Sequence, residues 1–147
     1  MLLSEHIPTP ICHRLFQFPA AHTHSFTYSA SGATITATCG EGCDITTGKT
    51  LTISAPKGDL TADGTKTFPA TLSTGYNTTA FPGTYTIAYT KDGQPFDGTP
   101  TEAGDYTASV TVGTATASVS YTVTAPTYTV TWKNWDGTVL ETDDNVR

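Results

Sequence analysis

Two histidines and two cysteines, His22, His24, Cys39 and Cys43, are the residues of this chain whose types most directly suggest chemistry. Two imidazoles and two thiolates can complete a tetrahedral zinc shell. The pattern HTH…CGEGC departs from the common finger and ribbon spacings, and a second chemistry competes with it: a local Cys39–Cys43 disulfide closing the small CGEGC loop. Such a bridge would stabilise modestly, because the entropy removed by a cross-link grows with loop length, and an oxidising exterior would permit it. Unpaired thiols are the third alternative, and with Cys12 the cysteines number three, so at least one lacks a partner within the chain. The reading adopted is no metal and no cofactor, with the disulfide ahead of zinc on His22, His24, Cys39 and Cys43.

Other candidate chemistries are weaker. Asp-Gly recurs at Asp63, Asp92, Asp97 and Asp136, but none continues into the alternating acidic ligands of a calcium loop, and Asp-Gly is what turns demand. Glu102 and Asp105 flank a corner, yet no second acidic cluster suggests the cleft a paired-carboxylate hydrolase needs. No serine sits in a G-x-S-x-G elbow, so a hydrolytic triad has no motif. Nor does any motif propose a Lys-Asn isopeptide cross-link. Trp132, Trp135, Tyr76, Tyr85, Tyr89 and Phe96 could line a sugar-binding face. Tyr85 and Tyr89 share parity with Ile87, which favours burial, whereas Tyr76 and Phe96 fall in loop-like segments and are the candidates for exposure. No enzymatic role is expected.

The elements that would position these residues are strands. In 101–123, Tyr106, Ala108, Val110 and Val112 share one face, and Ala115, Ala117, Val119, Tyr121 and Val123 repeat the pattern. Only Gly113-Thr114 separates the runs, and Gly at the first central position suits a type II′ hairpin. The register then pairs Val112 with Ala115, Val110 with Ala117, Ala108 with Val119 and Tyr106 with Tyr121, an apolar pair every time. A turn at Ser31-Gly32 is expected to pair Ala30 with Ala33, Tyr28 with Ile35 and Phe26 with Ala37, bringing His24 opposite Cys39 and His22 opposite Glu41. Short alternating runs at 50–56, 66–73 and 83–93 follow, with Pro69 demoting its run to a sheet edge or bulge. About seven short strands between Phe26 and Thr124 predict an all-β, immunoglobulin-like antiparallel sandwich.

Composition agrees. About a fifth of the residues are threonine, and β-branched side chains favour pleated, half-buried surfaces. A net charge of -6, with seven scattered basic residues, argues against a nucleic-acid or anionic-membrane partner. No apolar run is long enough to insert in a membrane as a helix.

PTEAGDYTASV resembles the end of Ig-like modules in bacterial surface proteins, and Tyr106 stands where the tyrosine corner of immunoglobulin sandwiches would be. Ala108 replaces the cysteine expected two residues later, so the inter-sheet disulfide is absent. The span 60–124 resembles the MBG type of repeat, and HTHSFTYSASGATITATCGEGC the start of a module in repetitive surface proteins of gut Firmicutes. YTVTWKNWDGTVLETDDNV is similar to the first hairpin of the internalin-type B-repeat, a β-grasp module. The resemblances imply an irregular segment over 1–21, a sandwich over 22–125 (with 22–57 and 58–125 as conceivable half-modules), and an incomplete B-repeat hairpin over 126–147, as in a fragment. They imply a non-enzymatic spacer, stalk or adhesin module of a larger repetitive surface protein, extracellular or on the cell wall, exported by a signal outside this chain. Its partners would be neighbouring repeats and, through the parent, a host or glycan ligand. The alternative is a carbohydrate-binding module of a secreted glycosidase, with Tyr76 and Phe96 as contact residues.

Overall fold

The computed structural model describes residues 23–40 and 42–147. The expectations on 1–21, Cys12, His22 and Glu41 lie outside the described residues. Among those described there are ten strands and no helix: β1 (Phe26–Ser31), β2 (Thr34–Cys39), β3 (Thr50–Ser54), β4 (Thr71–Leu72), β5 (Ala88–Lys91), β6 (Gln94–Phe96), β7 (Gly104–Val112), β8 (Ala115–Val123), β9 (Tyr128–Lys133) and β10 (Val139–Val146). Two four-stranded antiparallel sheets, ordered β1-β2-β3-β4 and β6-β5-β7-β8, make the two layers of a sandwich, and β9 pairs with β10 alone. The fold is thus an all-β antiparallel sandwich, with each sheet drawn from consecutive strands and a C-terminal hairpin after it.

The alternation of β7 and β8 determines the core. Their register is the one the sequence dictates, Val112 with Ala115 through Tyr106 with Tyr121. The apolar side faces Ile35, Ala37, Leu51 and Ile53 of the first sheet, with Phe68, Ala70, Ala80 and Phe81 supplied by the connections. Neither sheet has a buried face without the other, so the chain halves are layers of one core, divided between β4 and β5. The opposite face of β7–β8 carries hydroxyls that pair directly across the strands: Thr107 with Ser120 at 3.0 Å, Thr111 with Thr116 at 2.9 Å, and Thr122 donating to Asp105 at 2.6 Å.

The first hairpin corrects its expected register. Phe26 pairs with Cys39, Tyr28 with Ala37 and Ala30 with Ile35, because the turn is Gly32-Ala33 rather than Ser31-Gly32. Gly32 has φ +56° and Gly113 φ +61°, so in both hairpins glycine takes the first central position that a type II′ turn requires. The slip is by two in the sum of paired numbers, which preserves the faces: Ile35 and Ala37 still point inward. Two other expectations change. The 66–73 run shrinks to Thr71–Leu72, since Pro69 has no N–H to donate, and β6, unread from sequence, contains Pro95 and spans three residues. Both are sheet edges, where proline and short length discourage pairing with another chain. The free side of β8 is covered by its own chain: Ser118 N donates to Gly32 O at 3.1 Å, while Ala62 and Thr124 exchange bonds with Thr124 and Leu60 at 2.9 Å.

Tyrosines tie the long connections to this frame. Five of the seven do so through the hydroxyl while the ring packs inward: Tyr28 donates to Ala80 O at 2.8 Å, Tyr85 to Pro82 O at 2.9 Å, Tyr106 to Glu102 O at 3.0 Å and Tyr121 to Phe68 O at 2.7 Å, and Tyr89 accepts from Ala70 N at 3.0 Å. This amphipathic use, an apolar body with a polar tip, satisfies loop backbone that no ladder reaches. Gly48 marks another tie. A Cβ there would stand 2.7 Å from Asn77 N, which donates to Gly48 O at 2.8 Å.

Candidate functional site

The cluster singled out first in the sequence assembles at one pole of the sandwich. β2 ends at Cys39, the loop returning toward β3 carries Cys43 and Asp44, and His24 stands two residues before the start of β1. Because Phe26, not His24, is the strand partner of Cys39, the imidazole reaches Cys39 from two residues beyond the ladder. The His24 ring stacks on Phe26, centroids 5.8 Å apart. Its Nδ1 lies 3.6 Å from Cys39 Sγ and 3.7 Å from Cys43 Sγ, and its Nε2 lies 3.3 Å from Asp44 Oδ1. Cys39 and Cys43 form a disulfide, with Cα atoms 6.0 Å apart. All three ligand atoms fall within 4.8 Å of one another. His22, the fourth member of the zinc alternative, lies outside the described residues.

The tyrosine-corner candidate is Tyr106, whose hydroxyl closes a loop of four residues on Glu102 O. Lys91 Nζ reaches Glu102 Oε2 at 2.8 Å and sits 5.9 Å over the Tyr106 ring. The ammonium hydrogen bond holds the Glu102 carboxyl below its usual range and raises Lys91 in turn. Glu102 and Asp105 are thus each engaged by a partner of their own, Lys91 and Thr122, as corner-building groups.

Tyr76 and Phe96, the rings expected to be exposed, are half-buried. Tyr76 is packed edge-on against Phe81 at 5.8 Å and Tyr85 at 6.3 Å, and Phe96 against Tyr106 at 5.4 Å. Both are partly buried against the core instead of exposed in loops. Tyr76 lies in a connection folded onto Phe81, and Phe96 belongs to β6. Among the described residues the exposed rings are on the last hairpin: Trp135 is 94% accessible, and Trp132, whose Nε1 donates to Asp143 at 3.1 Å, is 57% accessible. The aromatic candidates therefore split among the core, the corner and this hairpin.

The Asp-Gly pairs make turns. Asp92 (φ +50°) and Gly93 (φ +80°) join β5 to β6 in the left-handed pair that a type I′ hairpin needs. Asp63 Oδ1 accepts from Lys66 N at 2.7 Å and from Thr65 N and Oγ1 at 2.9 Å, which lowers its carboxyl to about 2. Asp136 accepts from Thr138 N at 2.9 Å. A concavity of about 580 Å³ over the outer face of β7 and β8 is lined by Thr90, Asp105, Thr107, Ser120 and Thr122. Several of these hydroxyls are already satisfied by each other. Comparison of the chain with protein-family models, curated proteins and solved structures finds no match.

Proposed function

We propose that this chain is a non-enzymatic spacer module of a larger, repetitive extracellular protein, of the bacterial surface type its sequence resembles. The observation that carries the reading is the placement of the two ends of the sandwich. Tyr28 of β1 lies against the Gly113 turn, since a Cβ on Gly113 would meet its ring at 3.5 Å, and Gly32 lies beside Ser118 further along β8. β1 therefore starts near the β7–β8 turn and runs in the same direction as β8. The chain leaves at Val123 and Thr124, at the far end of β8, where Thr124 bridges to Thr61. Nine strand residues separate these poles, roughly 30 Å. Termini at opposite poles let successive modules add length in line. Pinned connections, short or covered edges and a hydroxyl-rich outer face suit a module that must remain folded and soluble with few charges.

Single-molecule extension of the chain held between marker domains tests this. The sandwich should resist as one cooperative unit and release roughly 35 nm of contour, at about 3.6 Å per residue. Extension without a distinct unfolding event would sink the spacer reading.

The carbohydrate-binding alternative finds its support in Trp132 and Trp135 more than in Tyr76 or Phe96, because among the described residues the hairpin rings present the widest faces to solvent. Glycan-array binding lost in Trp135→Ala but kept in Tyr76→Phe would favour it over the spacer.

A further inference from the structure

We propose that His24, Cys39 and Cys43, with Asp44 behind His24, form a redox-gated site for zinc: the dithiol form binds the ion and the disulfide form does not. This goes beyond the spacer reading and stands independently of it.

The geometry of the imidazole carries the inference. Asp44 Oδ1 lies 3.3 Å from Nε2, on the side of the ring away from the sulfurs, and a proton carried on Nε2 would leave Nδ1 as the acceptor. The Nδ1 lone pair is then directed at the two sulfurs, which lie 3.6 and 3.7 Å away. A tetrahedral zinc with Zn–N near 2.0 Å and Zn–S near 2.3 Å holds its nitrogen and sulfur ligands about 3.5 Å apart. The nitrogen is already close to that separation from both sulfurs. A carboxylate accepting from the remote nitrogen of a metal-bound histidine is a recurrent support, fixing the tautomer and raising ligand basicity. Stacking on Phe26 fixes the plane of the ring as well. A simple disulfide needs none of these three arrangements.

The exchange between the forms balances as follows. A dithiol reductant supplies two electrons and two protons, cleaving the Cys39–Cys43 S–S bond to two thiols while the reductant becomes a cyclic disulfide. Zinc then displaces both thiol protons to solvent and bonds two thiolates and Nδ1, leaving a fourth position for water or a further side chain. Cys39 is held at the end of β2, so the movement that admits the ion belongs to the Cys43 loop.

The test is titration of the full chain with Co²⁺, a coloured substitute for zinc, after reduction with dithiothreitol and its removal without oxygen. The expected result is one equivalent bound, with the thiolate charge-transfer band and the visible bands of tetrahedral cobalt, all erased by one equivalent of Zn²⁺. Cys43→Ser and His24→Ala should each weaken binding at least 100-fold, and Asp44→Asn about 10-fold with the bands kept in position. The oxidised chain should show none of the bands. Near-ultraviolet circular dichroism of each variant reports whether the sandwich is intact, and Cys39→Ser provides a second thiol variant. Absence of the bands in reduced chain, or their survival in both His24→Ala and Cys43→Ser, would overturn the site. Equal cobalt affinity in Asp44→Asn would overturn the assignment of Asp44.

Discussion

The β7–β8 and β9–β10 hairpins start from similar alternating sequences and end in opposite situations. β7 and β8 pair over nine residues each without a break, and every inward position except Gly104 and Val119 is buried. β9 and β10 pair with register shifts between Val139 and Glu141 and between Asp143 and Val146, and Tyr128, Trp132, Val139 and Leu140 are exposed. Alternation and a turn suffice to make a hairpin, but only a second layer makes it a core. β7–β8 has that layer in Ile35, Leu51 and Ile53, whereas an isolated hairpin of the β9–β10 kind is marginal in water.

The sharpest way to break this comparison is to place a charge at matched positions. Val110 is 1% accessible and faces Ala117 across the ladder. Val110→Asp leaves a carboxylate without a partner in the core and should cost about 4–5 kcal/mol or more, a large part of the stability of an ordinary domain. Val130→Asp, on the half-exposed side of β9, should change the unfolding free energy of the sandwich, measured by urea titration, by less than about 0.5 kcal/mol. Equal effects would mean that the last hairpin belongs to the same cooperative unit.

The two indole and phenol tips provide a second contrast. The buried Tyr121 hydroxyl donates to Phe68 O at 2.7 Å, while the Trp132 N–H donates to Asp143 in the open. Tyr121→Phe leaves that carbonyl short of a donor and should destabilise by about 1–2 kcal/mol, against nothing measurable for Trp132→Phe. Burial raises the Tyr121 phenol above its ordinary value of 10.0. Its contribution is therefore complete below pH 10 and declines as pH rises above it, when the unfolded chain ionises first. Urea titrations at rising alkaline pH should show a smaller loss in Tyr121→Phe than in the unaltered chain.

At the acid end the relevant group is Asp63, in the connection between β3 and β4. Backbone hydrogen bonds from Lys66 and Thr65, aided by the Thr65 hydroxyl, lower its carboxyl from 3.8 to about 2. That contribution is present above pH 3.8 and is lost as pH falls toward 2. Asp63→Asn should flatten the stability profile across this interval only. Because the turn is tied into the sandwich, acid loss should appear in the main melting transition and leave signals from Trp135 unmoved.

Legibility in the sequence follows the same division. The β7–β8 register could be read because turn chemistry and apolar pairing specify one alignment, and Val110 opposite Ala117 leaves no other. At β1–β2 the small side chains of Ser29, Ala30, Ser31 and Ala33 pair acceptably in either register. There the position of Gly32 in the turn decides, and assigning it as Gly113 was assigned would have found it. The half-burial of Tyr76 and Phe96 could not be read because their partners, Phe81 and Tyr106, are set against them by irregular connections that follow no strand alternation. The approach of His24 to the cysteines was legible as a neighbourhood. Asp44 was missed, although a carboxylate one residue from Cys43 was a visible signal for a histidine support.

The smallest expected effect concerns the outer face, where β7–β8 most resembles the exposed hairpin. Thr111 and Thr116 stand directly opposite each other with hydroxyls 2.9 Å apart, in contact with solvent. Water replaces that hydrogen bond when it is lost, so Thr111→Val should cost no more than about 0.5 kcal/mol, and its retained β-branching offsets part of that. Thr129 in β9 bonds to Asp144 at 2.8 Å in a similar setting, and Thr129→Val should leave the sandwich melting temperature unchanged. A loss at Thr111 above about 1 kcal/mol would mean that the hydroxyl ladder helps hold the layers together, and that exposure alone does not separate the two hairpins.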